Sequence, residues 1–425
     1  MMSRTSTMVR LASRNLRRYL RRTALTSSAM IVGGALMIFS LSLGDGGHED
    51  WIESGARMGS GHLSIQAPGF KTTRKIEDRL TTAARAGAET ALQQPGVAEH
   101  VVSVVPQLAI GGLASSPTGA RPAQIVGVDP VAEAEFSMLD DKLVEGRYLE
   151  PGDRLAAYVG AGLMEGLDLR LGSRLVLTAQ DAEGEISGQL VRVVGVFRSG
   201  VPEVDQTLIH IPLTTGGTWL HSGDDVTTIA ILVDRSREVP SIQTALKREL
   251  ATEIENGELA VLSWRESSPE LNAAIRIDDM GNYVWQGIMF GIIALGIVNT
   301  VLMSVMYRKR EFGLLQALGL TPRQTGGLVI TEGLALTAVS GFFGIALGLF
   351  LTWFFFRNGL DFSFTWDESF TFSGVVVDPI IVPLFSVRRI MQSLIFILTI
   401  GTVASLYPAF RAMRIDVAEA MKFER

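Results

Sequence analysis

Apolar residues gather along this chain in four long runs, and between the first and second the hydrophobic pattern changes period. Residues 24–43 (ALTSSAMIVGGALMIFSLSL), 283–306, 326–356 and 390–410 are each long and apolar enough to cross a bilayer as a helix, which takes about 20 residues. One acid, Glu332, falls inside these runs. The first run is longer than the apolar core of a secretory signal, and no A-x-A cleavage site follows it, so it reads as a retained helix. Residues 44–282 carry a different signal: short strand patterns bounded by Gly, Pro and Asp. They fall at 61–69 (GHLSIQAPG), 123–130, 174–181, 190–197, 206–213, 228–234 and 258–264. Helical stretches are expected at 76–93 and at 241–256, the second opening after Pro240 and stopping at Gly257. Residues 115–122 (SSPTGARP) and 181–188 (DAEGEISG) read as hairpin tips or exposed loops. The pattern therefore predicts an integral membrane α-helical protein of four transmembrane helices, with a large α+β extracytoplasmic domain between helices one and two.

Composition supports that division. Of 425 residues, 47% are hydrophobic and 19% charged, which suits a membrane protein and excludes a disordered chain. The absence of cysteine excludes disulfides, thiolate metal sites, a cysteine nucleophile and lipid attachment to cysteine. The net charge of −6 hides a strong asymmetry. Residues 1–43 hold seven arginines and no acid, while the segment 44–282 is strongly acidic. Arginines directly ahead of an apolar run anchor a membrane helix, and this favours a membrane role over nucleic-acid binding. Basic residues recur in the connection 307–325 (Arg308, Lys309, Arg310, Arg323) and in the tail 411–425 (Arg411, Arg414, Lys422, Arg425). The positive-inside rule then places segments 1–23, 307–325 and 411–425 in the cytoplasm, and segments 44–282 and 357–389 outside. Arg357, Arg388 and Arg389 sit near helix ends, where they can snorkel.

Chemistry-bearing motifs are few. No catalytic constellation and no metal site stands out. Ser60 lies in G-S-G, without nucleophile-elbow spacing. The five histidines are scattered and read as structural or exposed, and Asp224–Asp225 and Asp278–Asp279 as solvated faces or caps. No G-x-x-x-x-G-K-[ST] is present, so ATP hydrolysis is not expected of this chain. Glu332 is too close to the cytoplasmic helix end for a proton relay and is expected to meet a partner on a neighbouring helix; Asn299 is expected to make an interhelical hydrogen bond. Within 307–325, Phe312, Leu315 and Leu318 recur near helical spacing and Gly319 and Pro322 close the segment. This is a short amphipathic helix suited to a groove on a partner. The third run carries small residues four apart on two faces: Ser340, Gly344 and Gly348, and Gly333, Thr337 and Gly341. Such faces permit close helix packing on both sides.

The stretch ALGIVNTVLMSVMYRKREFGLLQALGLTPRQ, followed by ITEGLALTAVSGFFGIALG, resembles the FtsX-like permease domain of type VII (MacB-like) ABC systems. The tail YPAFRAMRIDVAEAMKFER resembles that domain's ending, with Val417 where proline is usual. RLASRNLRRYLRRTALT and GHLSIQAPGF resemble more specifically the LolC/LolE lipoprotein-releasing branch. The resemblance implies a multi-pass bacterial inner-membrane permease with both termini cytoplasmic and a periplasmic domain. It implies two permease subunits, the second identical or of LolC/LolE type, with two LolD-like ATPase subunits that supply ATP and Mg. It implies that Arg310, Glu311, Phe312, Gly313, Leu315, Leu318 and Gly319 form the coupling helix on that ATPase, and that motion is passed to the outer domain. In the Lol branch the cargo is a lipoprotein, extracted from the outer leaflet and passed to a LolA-like periplasmic chaperone. The chaperone-hooking hairpin of LolC would fall at 179–189 (AQDAEGEISGQ), which is short, acidic and lacks an apolar tip. A MacB-like efflux permease and an FtsX-like signalling scaffold that activates an envelope hydrolase are the alternatives. If lipid chains of the cargo enter the membrane region, Met30, Met37, Phe39, Met289 and Phe290 are candidates to line their cavity, with ordinary packing or lipid contact the competing reading.

Overall fold

The computed structural model describes residues 20–59, 61–364, 371–372, 375–376 and 379–417. Ser60, most of the basic N-terminal segment and the tail beyond residue 417 lie outside the described residues. The chain forms two compact units: residues 1–47, 278–361 and 380–425 in one, and residues 48–277 and 362–379 in the other.

Among the described residues, four helices are long and apolar enough to cross a membrane. They are α1 (Leu20–Met58), α5 (Pro269–Tyr307), α7 (Pro322–Phe356) and α8 (Val387–Met413), with the short α6 (Lys309–Ala317) between α5 and α7. Three helices of the outer unit, α2 (Thr82–Leu92), α3 (Pro130–Ser137) and α4 (Val239–Glu249), complete the labelled set. The helical segments run past the apolar runs: α1 continues through Asp45, Gly46 and Gly47, where the sequence suggests that the chain leaves the membrane. Gly46 is needed there because the carbonyl of Val382 occupies the space of a Cβ.

In the membrane unit α7 is the central helix. One of its faces meets α1: a Cβ on Gly344 would lie 3.0 Å from the Ile31 carbonyl oxygen, and one on Gly348 2.9 Å from Ala35 Cα. The other face meets α8, where Gly333 lies against Ser405, Gly341 against Ile397, and Thr337 against Gly401. Small residues four apart thus bring backbones together on both sides of one helix, where dispersion between close-packed atoms supplies the attraction that lipid does not. At the opposite end from α6, Arg389 binds Asp45 at 2.9 Å and reaches Asp279 at 3.8 Å, so it pairs with acids of α1 and α5.

The main sheet of the outer unit has ten strands: β1 (Leu63–Gln66), β2 (Val101–Ser116), β3 (Gly119–Val128), β4 (Leu143–Gly146), β5 (Ala156–Gly160), β6 (Arg174–Gln180), β7 (Ile186–Phe197), β8 (Leu208–Pro212), β9 (Thr228–Val233) and β10 (Ala260–Ser263). The pairing circuit β2–β3–β8–β5–β7–β6–β2 closes on itself, a six-stranded barrel with parallel β3–β8 and β5–β7 pairs. Alternate residues fill its interior, among them Leu108, Ile110, Ile125, Val159, Leu177, Val191 and Ile209. The first half of β2 pairs instead with β9, extending to β1 and β10. Helices α2 and α4 pack on that sheet through Ala84, Ala88, Ile242 and Leu246.

Every strand read from the sequence is present, and so are the helices within 76–93 and 241–256. Strand β2, the longest, carried no strand signal. Pro106 and Gly111–Gly112 interrupt its alternation, and such residues weaken a strand pattern. The turn between β6 and β7 is acidic as expected, yet Ile186 beside it is 81% exposed, so this hairpin does present an apolar side chain.

Candidate functional site

Helix α6 is set by its two ends. After α5 ends at Tyr307, Arg308 leaves helical geometry and its carbonyl accepts from Phe312, starting the new helix at once. At the far end Gly319 takes φ +103°, the Gly319 N–H donates to Gln316 and the Leu320 N–H to Leu315. This is the Schellman arrangement, which glycine adopts without a Cβ penalty. Thr321 then caps α7 through a reciprocal box with Gln324, with Pro322 in the first turn. Two tight stops leave α6 little freedom to slide.

One side chain ties the site together. Arg308, 6% exposed, donates from Nε to Glu311 at 2.9 Å and from Nη1 to Glu332 on α7 at 2.8 Å. Its guanidinium lies 4.9 Å from the ring centre of Phe312. Ser304 Oγ stands 3.4 Å from the other Glu332 oxygen. The intramembrane acid therefore has its partner at the end of the preceding helix, in a residue that sequence reasoning used only as a topology signal. Gln316 adds a second tie, its Nε2 at 3.4 Å from Thr325 Oγ1 and 3.5 Å from the Ala412 carbonyl.

The residues expected on the coupling helix divide into two faces. Phe312 and Gly313 are buried, Phe312 packing with Val301, Val305, Leu328 and Ala409 in one cluster. Glu311 and Leu315 are half-buried, while Arg310, Leu318 and Gly319 are exposed. Leu314, which sequence reasoning passed over, is 49% exposed beside Leu318 at 75%. The outward face is thus Arg310, Leu314, Leu318, with Phe312 turned inward as the anchor.

The candidate lipid-cavity residues lie mostly inside this chain's own packing. Met30 and Met37 are buried, Phe39 meets Phe356 at 5.1 Å, and Phe290 stacks on Phe396 at 5.7 Å; Met289 is half-buried. Apolar side chains left uncovered by this chain include Val32 and Leu36 on α1 and Ile288, Ile292 and Leu295 on α5. Asn299 is exposed on α5, and the expected bond is not formed among the described residues. In the outer unit Asp181, Glu183 and His221 bring ligand-type atoms within 4.8 Å of one another. Asp181 Oδ1 there accepts from the Glu183 and Glu185 N–H groups, which shapes the β6–β7 turn.

Four apolar helices with an α+β domain inserted between the first and second define an integral membrane protein architecture. Residues 286–417 match the FtsX-like permease C-terminal domain, and residues 23–249, more than half of the chain, match the MacB-like periplasmic core domain. The chain belongs to the MacB/FtsX-like family of ABC transporter permeases. It is similar to the lipoprotein-releasing system transmembrane protein LolC of Neisseria meningitidis, 23% identical over 341 residues, 76% of this chain and 79% of that protein. It is also similar to the macrolide export ATP-binding/permease protein MacB of Hyphomonas neptunium, 23% identical, covering 98% of this chain and 60% of that protein. Among solved structures, the periplasmic region of MacB from Actinobacillus actinomycetemcomitans covers 49% of this chain and 91% of that one, at 16% identity and a TM-score of 0.35.

Proposed function

We propose that this chain is the permease subunit of an ABC transporter that extracts lipoproteins from the outer leaflet of the bacterial inner membrane. Its ATP would be hydrolysed, with Mg, by a separate LolD-like ATPase. The observation that carries the reading is the similarity to LolC over about three quarters of both chains. The geometry of α6 supports the energy-coupling part. A short helix with an exposed Arg310–Leu314–Leu318 face suits a groove on a partner. The Arg308 link to Glu332 would carry a displacement of α6 directly into α7. Both termini and α6 are assigned to the cytoplasm by the positive-inside rule, and the outer domain to the periplasm. The complex would hold two permeases, the second identical or of LolC/LolE type, with a LolA-like chaperone as acceptor.

The test is reconstitution of the permease with its co-purified ATPase in liposomes carrying a triacylated lipoprotein. ATP-dependent release into the soluble fraction is expected, increased by a chaperone. Leu318→Asp is expected to abolish release and ATPase binding while the permease itself stays folded. ATP hydrolysis without release in an active complex would sink the lipoprotein reading. It would favour MacB-like efflux, which the match to the MacB-like core domain supports, or signalling to an envelope hydrolase.

A further inference from the structure

The outer unit contains a cavity of about 410 Å³ that the transport reading does not use. It lies on the outer surface of the barrel, where β2, β3 and β8 face helix α3. Strand alternation decides its lining: Leu108, Ile125 and Ile209 point into the barrel, so Gln107, Val126 and His210 point out into the cavity. Its most unusual wall is Glu133 on α3, 2% exposed. Gln107 Nε2 donates to both Glu133 oxygens, at 3.0 and 3.2 Å. No lysine or arginine forms an ion pair with it among the described residues. Arg57, at the same cavity, is engaged by Glu53 at 2.6 Å and by the Phe136 carbonyl at 3.0 Å. Arg74 stacks over Phe70.

A buried carboxylate without a counter-ion is costly. Burial raises the Glu133 carboxyl to about 7, so that it holds or releases its proton near neutrality. His210, 2% exposed, is held neutral by burial, and its Nε2 has no partner among the described residues. With the proton on Nδ1, toward the Tyr148 hydroxyl at 3.5 Å, Nε2 is an acceptor. The amide oxygen of Gln107 is likewise unengaged among the described residues. The cavity thus offers one carboxylate that receives the Gln107 amide but no charged donor among the described residues, and two neutral acceptors, beside the apolar walls of Ala109, Val126 and Leu208.

We propose that this cavity binds a small organic ammonium compound with a short apolar body, whose N–H groups are received by Glu133, Gln107 and His210. A primary ammonium has three donors and one positive charge, which matches the missing counter-ion and the open acceptors. The volume falls within the range of small-molecule sites. A metal ion fits less well, because Glu133 and His210 have no third carboxylate or imidazole gathered with them among the described residues.

The test uses the full chain in lipid nanodiscs and isothermal calorimetry with n-butylammonium, butanol and butyrate as matched probes. Butylammonium should bind at least tenfold more tightly than either of the others. Glu133→Gln should weaken it at least tenfold. Gly111→Leu, at a cavity position where a Cβ meets nothing within 4 Å, should block binding without touching Glu133. Thermal unfolding of both variants checks that they fold. The proposal is overturned if folded wild-type protein does not bind butylammonium, if Glu133→Gln binds it equally, or if butyrate, sodium or zinc binds there in preference.

Discussion

Replacing Arg308 with methionine tests whether α6 is held to α7 by charge. The Arg308 side chain is 7% exposed and its partner Glu332 13%, so both are largely withdrawn from water. Without Arg308, Glu332 keeps only Ser304, at 3.4 Å, among the described residues. Breaking a buried pair from one side costs about 3–5 kcal/mol, because the remaining charge has no compensation. Loss of the contact with the Phe312 ring adds roughly 0.5–2 kcal/mol. Glu311 is 42% exposed and can rehydrate, so its share is below about 1 kcal/mol. Removing both charges, in Arg308→Met with Glu332→Gln, leaves no buried ion and should recover at least about 2 kcal/mol of the loss. The assay is denaturant unfolding in detergent micelles for wild type, both single variants and the double, read as a double-mutant cycle, alongside ATPase activity of the assembled complex. A loss below about 1 kcal/mol for Arg308→Met, or simple additivity in the cycle, would refute the argument that this pair fixes α6.

Gly344→Leu should destabilise the protein by about 1–3 kcal/mol, since its Cβ would press on the Ile31 carbonyl and Gly34 backbone, whereas Gly327→Ala, with nothing within 4 Å, should be neutral or stabilising; thermal unfolding in nanodiscs separates them. Glu133, raised from 4.5 to about 7, contributes stability that falls as pH rises from 4.5 to 7; His210, lowered from 6.5 to about 4, contributes stability that grows as pH rises from 4 to 6.5. The two therefore oppose one another in wild type. Glu133→Gln should expose the rising slope and His210→Gln the falling one, each at most about 1.4 kcal/mol per pH unit, in unfolding measured across pH 4–8. Asn299→Leu should weaken association between permease subunits without lowering the stability of the single chain, because its amide is exposed and unpaired among the described residues; crosslinking in the membrane reads this directly.

The membrane architecture was legible in the sequence because crossing a bilayer is a local property. An apolar run of sufficient length reports itself with no knowledge of its neighbours. The glycine spacing of α7 was legible for the same reason, since positions four apart share a helix face. The strand signals of β1, β3 and β6 to β10 were legible because each is a short run with strand-forming residues bounded by Gly, Pro or Asp. What only the tertiary structure decided is which face meets what. The closure of the barrel depends on β6 pairing with β2, residues far apart in sequence, and Pro106 and the glycine pair had hidden β2 altogether. Periodicity grouped Phe312 with Leu318, but packing turned the first inward and left the second exposed. Met30 and Met37 were open between a lipid-chain cavity and ordinary packing from the sequence, and folding buries both among this chain's own helices. Arg308 read as one more positive charge at a membrane boundary until folding placed Glu332 2.8 Å away. Glu133 and His210 carried no motif, because their chemistry comes from burial, and burial depends on distant strands closing over them.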